Sequence, residues 1–130
     1  MTGIDGCLAD AMTVPGARGA SLVDWTSGLA LGAVGTWPDG DPEGAAAEAA
    51  ELARTAFENF APAAPAAPAP AGAPVEELVV TARDSYHLIR FVETSFDSSV
   101  FVHLWLDRTE ANLAMALFRL RDVTARLVPA

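Results

Sequence analysis

The side chains that could do chemistry are few and scattered. His87 and His103 lie in alternating apolar stretches, "YHLIRFV" and "VFVHLWL". A zinc or copper site needs three or four converging ligands. Two histidines on separate strands, with Cys7 isolated near the N-terminus, supply no such set, so both are read as packed or interface histidines and no metal is expected. Arg83, Arg90 and Arg108 are the arginines whose positions invite a role on a phosphate, but a catalytic arginine needs a rigid, exposed loop and a docking pose. None is assigned that role. No Walker-type loop is possible, because the chain contains no lysine and that loop uses one on the nucleotide phosphates. GxSxG, HExxH and CxxC are absent as well. The carboxylates fall on helix faces instead of forming a pair for acid–base work. The residues therefore point away from an enzyme and away from a bound cofactor.

Composition narrows the classes further. The 130 residues carry a formal net charge of −9, and all 8 basic residues are arginine. Nucleic acids and anionic membranes select for a basic footprint, so neither is an expected partner. The acid is concentrated from Asp39 to Glu58, where only Arg54 opposes it. With one cysteine no internal disulfide can form, which fits a reducing compartment. Asp5 and Asp10 sit where a secretory leader would be basic, and no apolar run of about 18 residues occurs. A cytoplasmic location is the expectation.

These few groups must be positioned by a fold, and the chain is punctuated clearly. Ile4, Leu8 and Met12 share one helical face, and "VPG" (14–16) ends that helix. "GASLVDWTSGLALGAVG" (19–35) reads as a hairpin, with Gly28 supplying the positive φ of the turn and Asp24 bracing it. Asp41 is the expected N-cap of a helix over 42–60, with Pro42 at its first position. Its apolar side is Ala46, Ala49, Ala50, Ala53, Phe57 and Phe60; Glu48, Glu51, Arg54 and Glu58 lie opposite. Three strands follow, over 75–82, 86–92 and 100–106, the last apolar on both sides and therefore central. Asp107 is expected to cap a final helix, with Glu110 completing a capping box and Leu113, Leu117, Leu120, Val123 and Leu127 as the apolar stripe.

Between the middle helix and the next strand lies "APAAPAAPAPAGAP" (61–74). Either it links two domains or it is a loop within one. Two halves of about 55–60 residues would each have a marginal core without disulfides or metal. A two-stranded hairpin is not stable alone, and three strands need cover on two faces. Each half supplies what the other lacks. The expected architecture is one α+β domain spanning 1–130, of order αββαβββα, with the Ala/Pro segment as an internal spacer.

The hairpin, the strand "SYHLIRFV" and the run "VFVHLWLDRTEANLAMALFRL" resemble the roadblock domain, the small dynein-light-chain-like module that many bacteria carry beside Ras-like GTPases. "LVDWTSGLALG" and "LDRTEANLAMA" carry the resemblance most specifically. It covers nearly the whole chain apart from the Ala/Pro segment. It implies a five-stranded antiparallel sheet with the first and last helices on one face and the middle helix on the other. It also implies a homodimer in which the strand after the middle helix pairs with its copy and the middle helices lie side by side. On this sequence the interface would comprise Glu76, Leu78 and Val80 with Ala46, Ala49, Ala50, Ala53 and Phe57. The surface offered to a partner would comprise Glu48, Glu51, Arg54 and Glu58. The residues alone leave open whether the alanine face serves sheet packing, helix pairing or both. The resemblance implies a non-enzymatic regulator of a Ras-like small GTPase, with a sensor kinase or other signalling protein as a further partner. Relatives of this kind that regulate gliding motility speed GTP hydrolysis by repositioning the partner's own residues. The alternatives are a structural adaptor that leaves hydrolysis unchanged, and a small-molecule sensor. The connection between middle helix and pairing strand is usually short in this family. Here it is long, which puts the dimer geometry in question.

Overall fold

A computed structural model describes residues 3–60, 75–92 and 99–127. Its elements are α1 (Ile4–Ala11), β1 (Ala17–Asp24), β2 (Leu29–Gly35), a 3-10 turn (Pro38–Gly40), α2 (Pro42–Phe60), β3 (Glu77–Thr81), β4 (Ser85–Val92), β5 (Val100–Asp107) and α3 (Leu113–Ala125). All pairings are antiparallel, in one five-stranded sheet of order β2-β1-β5-β4-β3. This is the expected αββαβββα arrangement. The Ala/Pro segment lies outside the described residues. The elements on either side of it, α2 and β3, belong to the same layered unit.

The period-two pattern of the strands sorts their side chains into two cores. Leu22, Leu88, Val102, Leu104 and Leu106 face one side, where they meet Leu8 and Ala11 of α1 and Ala116, Leu120 and Val123 of α3. Val23, Ile89, Phe91 and Phe101 face the other, beneath Ala46, Ala49, Ala50 and Ala53 of α2. Three layers result, with β5 central and all of it buried except Trp105 and Asp107. Small side chains along α2 let the helix axis approach the sheet closely. Phe57 fills the wider end, edge-on to Trp25 at 4.7 Å and tilted against Phe91 at 4.6 Å between ring centroids.

The turns follow their chemistry. Gly28 has φ 78°, and the Thr26 amide donates to Asp24 Oδ1 at 2.9 Å across the β1–β2 turn. The Gly44 amide donates to Asp41 Oδ1 at 2.9 Å, which caps the start of α2.

Three expectations are corrected. Asp107 does not cap the last helix. It ends β5, accepts from the Thr109 amide at 2.9 Å and pairs with Arg18 at 3.0 Å. The cap is Asn112, whose Oδ1 accepts from the Met115 amide at 3.0 Å. Asp107 is held by β5 and closes its own turn, so the helix starts further along the chain, at Leu113. Phe60 is not on the buried side of α2 either. It is 73 % exposed, while Ala56 takes the buried place at that end. The strand expected over 75–82 is narrower, at Glu77–Thr81, although the Glu76 carbonyl still accepts from the Phe91 amide at 3.0 Å.

Candidate functional site

The β3 edge and the α2 surface beside it form the candidate site. β3 pairs only with β4, so its outer backbone groups have no strand partner among the described residues. An open edge is normally blunted by charge, proline or a covering element. Here Val79 and Val80 are 40 % and 37 % exposed, and Leu52 on the neighbouring side of α2 is 41 % exposed. Val80 and Leu52 wall a cleft between β3 and α2, floored by Ile89, His87 and His103 and closed by Trp37.

The charge on β3 is drawn inward. Glu77 pairs with Arg90 on β4 and Arg121 on α3, each at 2.8 Å. The hydrogen bond from Arg121 leads a set of interactions that hold its carboxyl below the usual carboxylate range, against the cost of burial. Glu77 therefore ties the edge strand to α3 and does not guard the edge. The Glu76 side chain stands 81 % exposed and makes a long 3.9 Å contact to Arg90.

The expected interface residues separate by environment. Ala46, Ala49, Ala50 and Ala53 are buried against the sheet of their own chain, and Phe57 and Leu78 pack partly buried against the same core. Glu76 and Val80 remain open to a partner. On the outer side of α2, Glu48, Glu51 and Glu58 are exposed. Arg54 is engaged: it donates to the Trp25 carbonyl at 2.6 Å and pairs with Glu51, fastening α2 to the β1–β2 turn. The outer surface of the helix is therefore acidic in balance. Of the arginines considered for phosphate chemistry, Arg90 is committed to Glu77. Arg108 donates to the Ala82 carbonyl at 3.1 Å and lies 5.7 Å over the Tyr86 ring. Arg83 is exposed on the β3–β4 turn.

The sequence did not reveal that the two histidines touch. His87 and His103 occupy neighbouring strands on the α2 face, and His87 Nδ1 lies 3.0 Å from His103 Nε2. Trp37 and Trp105 stack at 5.9 Å beside them. Burial first, and His87 second, push the His103 pKa down to about 3. Burial also lowers that of His87, against the opposing charge of Asp84. Alternation within "YHLIRFV" and "VFVHLWL" places each histidine on one face. The register that brings them together, Ile89 opposite His103 and His87 opposite Trp105, depends on pairings the sequence does not write down. Among the described residues no group of three metal-ligating side chains gathers. Cys7 is buried, and burial pushes its thiol up to about 11, a state unsuited to nucleophilic attack.

No family model and no curated protein matches the sequence. Solved structures do match. The Roadblock/LC7 domain from Streptomyces avermitilis is 19 % identical over 95 % of this chain and 93 % of its own, with a TM-score of 0.66. MglB of Myxococcus xanthus is 14 % identical over 92 % of this chain and 77 % of its own, at 0.66. The gliding protein MglB from Thermus thermophilus is 18 % identical over 91 % and 80 %, at 0.67. Identity at this level speaks to architecture, and the three-layer arrangement, the strand order and the helix placement agree with it: this chain has the roadblock fold.

Proposed function

We propose that the protein is a non-enzymatic homodimer that binds a Ras-like small GTPase and modulates its GTPase cycle in the cytoplasm. The observation that carries the reading is the open β3 edge flanked by exposed Val80 and Leu52. A second copy paired along β3 would satisfy the free backbone groups and cover these apolar side chains at once. With the alanines of α2 committed to the sheet, the dimer contact of the helix falls to its flank, at Leu52. The outer carboxylates Glu48, Glu51 and Glu58 then form an acidic surface suited to a basic patch on the partner, where they speed encounter. The likeness of fold to MglB, a gliding protein, supports the GTPase assignment. The lack of lysine, which rules out a Walker-type nucleotide loop, and the lack of a three-ligand metal cluster among the described residues support a regulator in place of an enzyme.

The test is GTP turnover by a Ras-like small GTPase from the same source, measured with and without this protein. A changed rate supports the proposal. Unchanged turnover with intact binding makes the protein an adaptor, which brings the GTPase together with a sensor kinase or another signalling protein.

A further inference from the structure

The His87–His103 couple serves neither the core nor the acidic partner surface. Two neutral imidazoles 3.0 Å apart need one donor and one acceptor. With His103 Nε2–H donating to His87 Nδ1, the His87 Nε2–H points toward Ser85 Oγ, 3.5 Å away. Within the couple, only the His103 Nδ1 lone pair is then buried without a partner among the described residues. A protonated His87 carries N–H on both nitrogens. His103 must then accept at Nε2 and carry its own proton at Nδ1, where no acceptor is found among the described residues. Charging His87 thus creates a buried, unpaired N–H, an arrangement native interiors avoid.

The position of the couple gives this consequences. His87 lies directly across from Val80 in the β3–β4 register, and both line the cleft beside Leu52. His87 is half-buried, so water reaches it from that cleft. A second copy on the β3 edge would close the cleft and remove the water that a charged imidazole needs. We propose that the His87–His103 couple makes self-association through the β3 edge proton-sensitive, so that acid releases the second copy. The inference rests on the dimer proposed above.

The surrounding groups set the balance. Asp84, on the turn before β4, favours the charged form of His87. Glu48 reaches the same cleft from α2. From β5 come His103 and neutral Trp105, from the loop after β2 neutral Trp37, and Arg18 of β1 lies beyond, 5.3 Å over Trp105. β3 contributes Val80 and no charge to this face. Asp84 and Glu48 stay in place on pairing, so the two states differ in water: the free chain offers His87 an open cleft and the paired chain a closed one. By linkage, whatever disfavours the proton in the dimer makes the proton disfavour the dimer.

The experiment is sedimentation equilibrium of the full chain at pH 7.5, 6.5 and 5.5 in chelator-containing buffer, with circular dichroism to confirm folding. The same series is run on His87→Asn, whose amide can hold the Nδ1 position without titrating. The expected result is a dimer Kd at least about tenfold weaker at pH 5.5 than at 7.5 in the parent chain, and a change under about twofold in H87N. A dimer whose Kd does not respond to pH overturns the inference and leaves the dimer standing. Equal pH dependence in H87N overturns it too. A monomer at every pH overturns the dimer and the inference together. The NMR titration of His87 in the parent chain gives a readout that does not need the variant to fold. Its pKa must drop when the protein concentration is raised through Kd, and a constant pKa overturns the inference.

Discussion

Gly19 has no side chain because an indole occupies the space. A Cβ there would lie 2.8 Å from Trp37 Cε2 and 2.7 Å from the Thr36 carbonyl oxygen. Trp37, held by its Nε1–H to the Val34 carbonyl at 3.2 Å, needs that room to lie against Trp105 and His103. Gly19→Ala is therefore expected to lower stability by about 1–3 kcal/mol through overpacking, with a shift in tryptophan emission as the ring moves. Urea unfolding followed by fluorescence checks both, and a variant as stable as the parent would show that Trp37 does not need the site. His103 gives a second expectation at this scale. In the fold it stays neutral down to about pH 3, whereas in the unfolded chain it takes up a proton below about 6.5. The unfolded state thus binds more protons between those values, and the free energy of unfolding must fall as pH drops through that window. The loss is at most about 1.4 kcal/mol per pH unit. Above about pH 6.5 this contribution is flat. Equal stability at pH 7.5 and 5.5 would contradict the burial of a neutral imidazole. In the sequence both residues were legible as types only: a glycine in a strand and a histidine in an apolar run. What each touches is set by the register of β1 with β5 and by the path of the loop after β2, neither of which is a local property.

At the scale of elements, β3 is an edge strand, as β2 is at the other end of the sheet. It pairs on one side only, and Glu77 anchors it through Arg90 and Arg121. Its exposed side chains include the apolar pair Val79 and Val80. Val80→Glu places a charge where the second copy is proposed to sit. It should cost the fold less than about 1 kcal/mol, because the site is open to solvent, and it should convert the dimer to a monomer by light scattering. A Val80→Glu protein that remains dimeric would move the interface away from β3. The elements themselves were largely readable from the chain. Period-two runs bounded by glycine and polar turns marked the strands, and Asp41-Pro42 marked the start of α2. The start of α3 was hidden because Asp107 and Glu110 have the spacing of a capping box, while the tertiary pair of Asp107 with Arg18 claims the aspartate for β5. The exposure of Phe60 was hidden because a helical wheel places it with Phe57, yet Phe60 is the last residue of α2, and Ala56 holds the last buried place.

For the whole molecule, the three layers give each face a separate task. The side carrying α1 and α3 holds the larger aliphatic core. The α2 side holds the smaller aromatic core, the cleft with the histidine couple, and the acidic surface of Glu48, Glu51 and Glu58. The layering was legible because each half of the sequence lacked what the other supplied. The division of the α2 alanines was not: period alone cannot tell a helix face that meets a sheet from one that meets another helix, and burial assigns Ala46, Ala49, Ala50 and Ala53 to the sheet. The central claim is that this molecule pairs with itself and then with a Ras-like GTPase. Its most direct test is size-exclusion chromatography with light scattering on the mixture, the GTPase loaded in turn with GDP and with a non-hydrolysable GTP analogue. A dimer of this protein alone and a 2:1 or 2:2 complex that favours one nucleotide are expected. Separate elution of the two proteins with either nucleotide would contradict the claim.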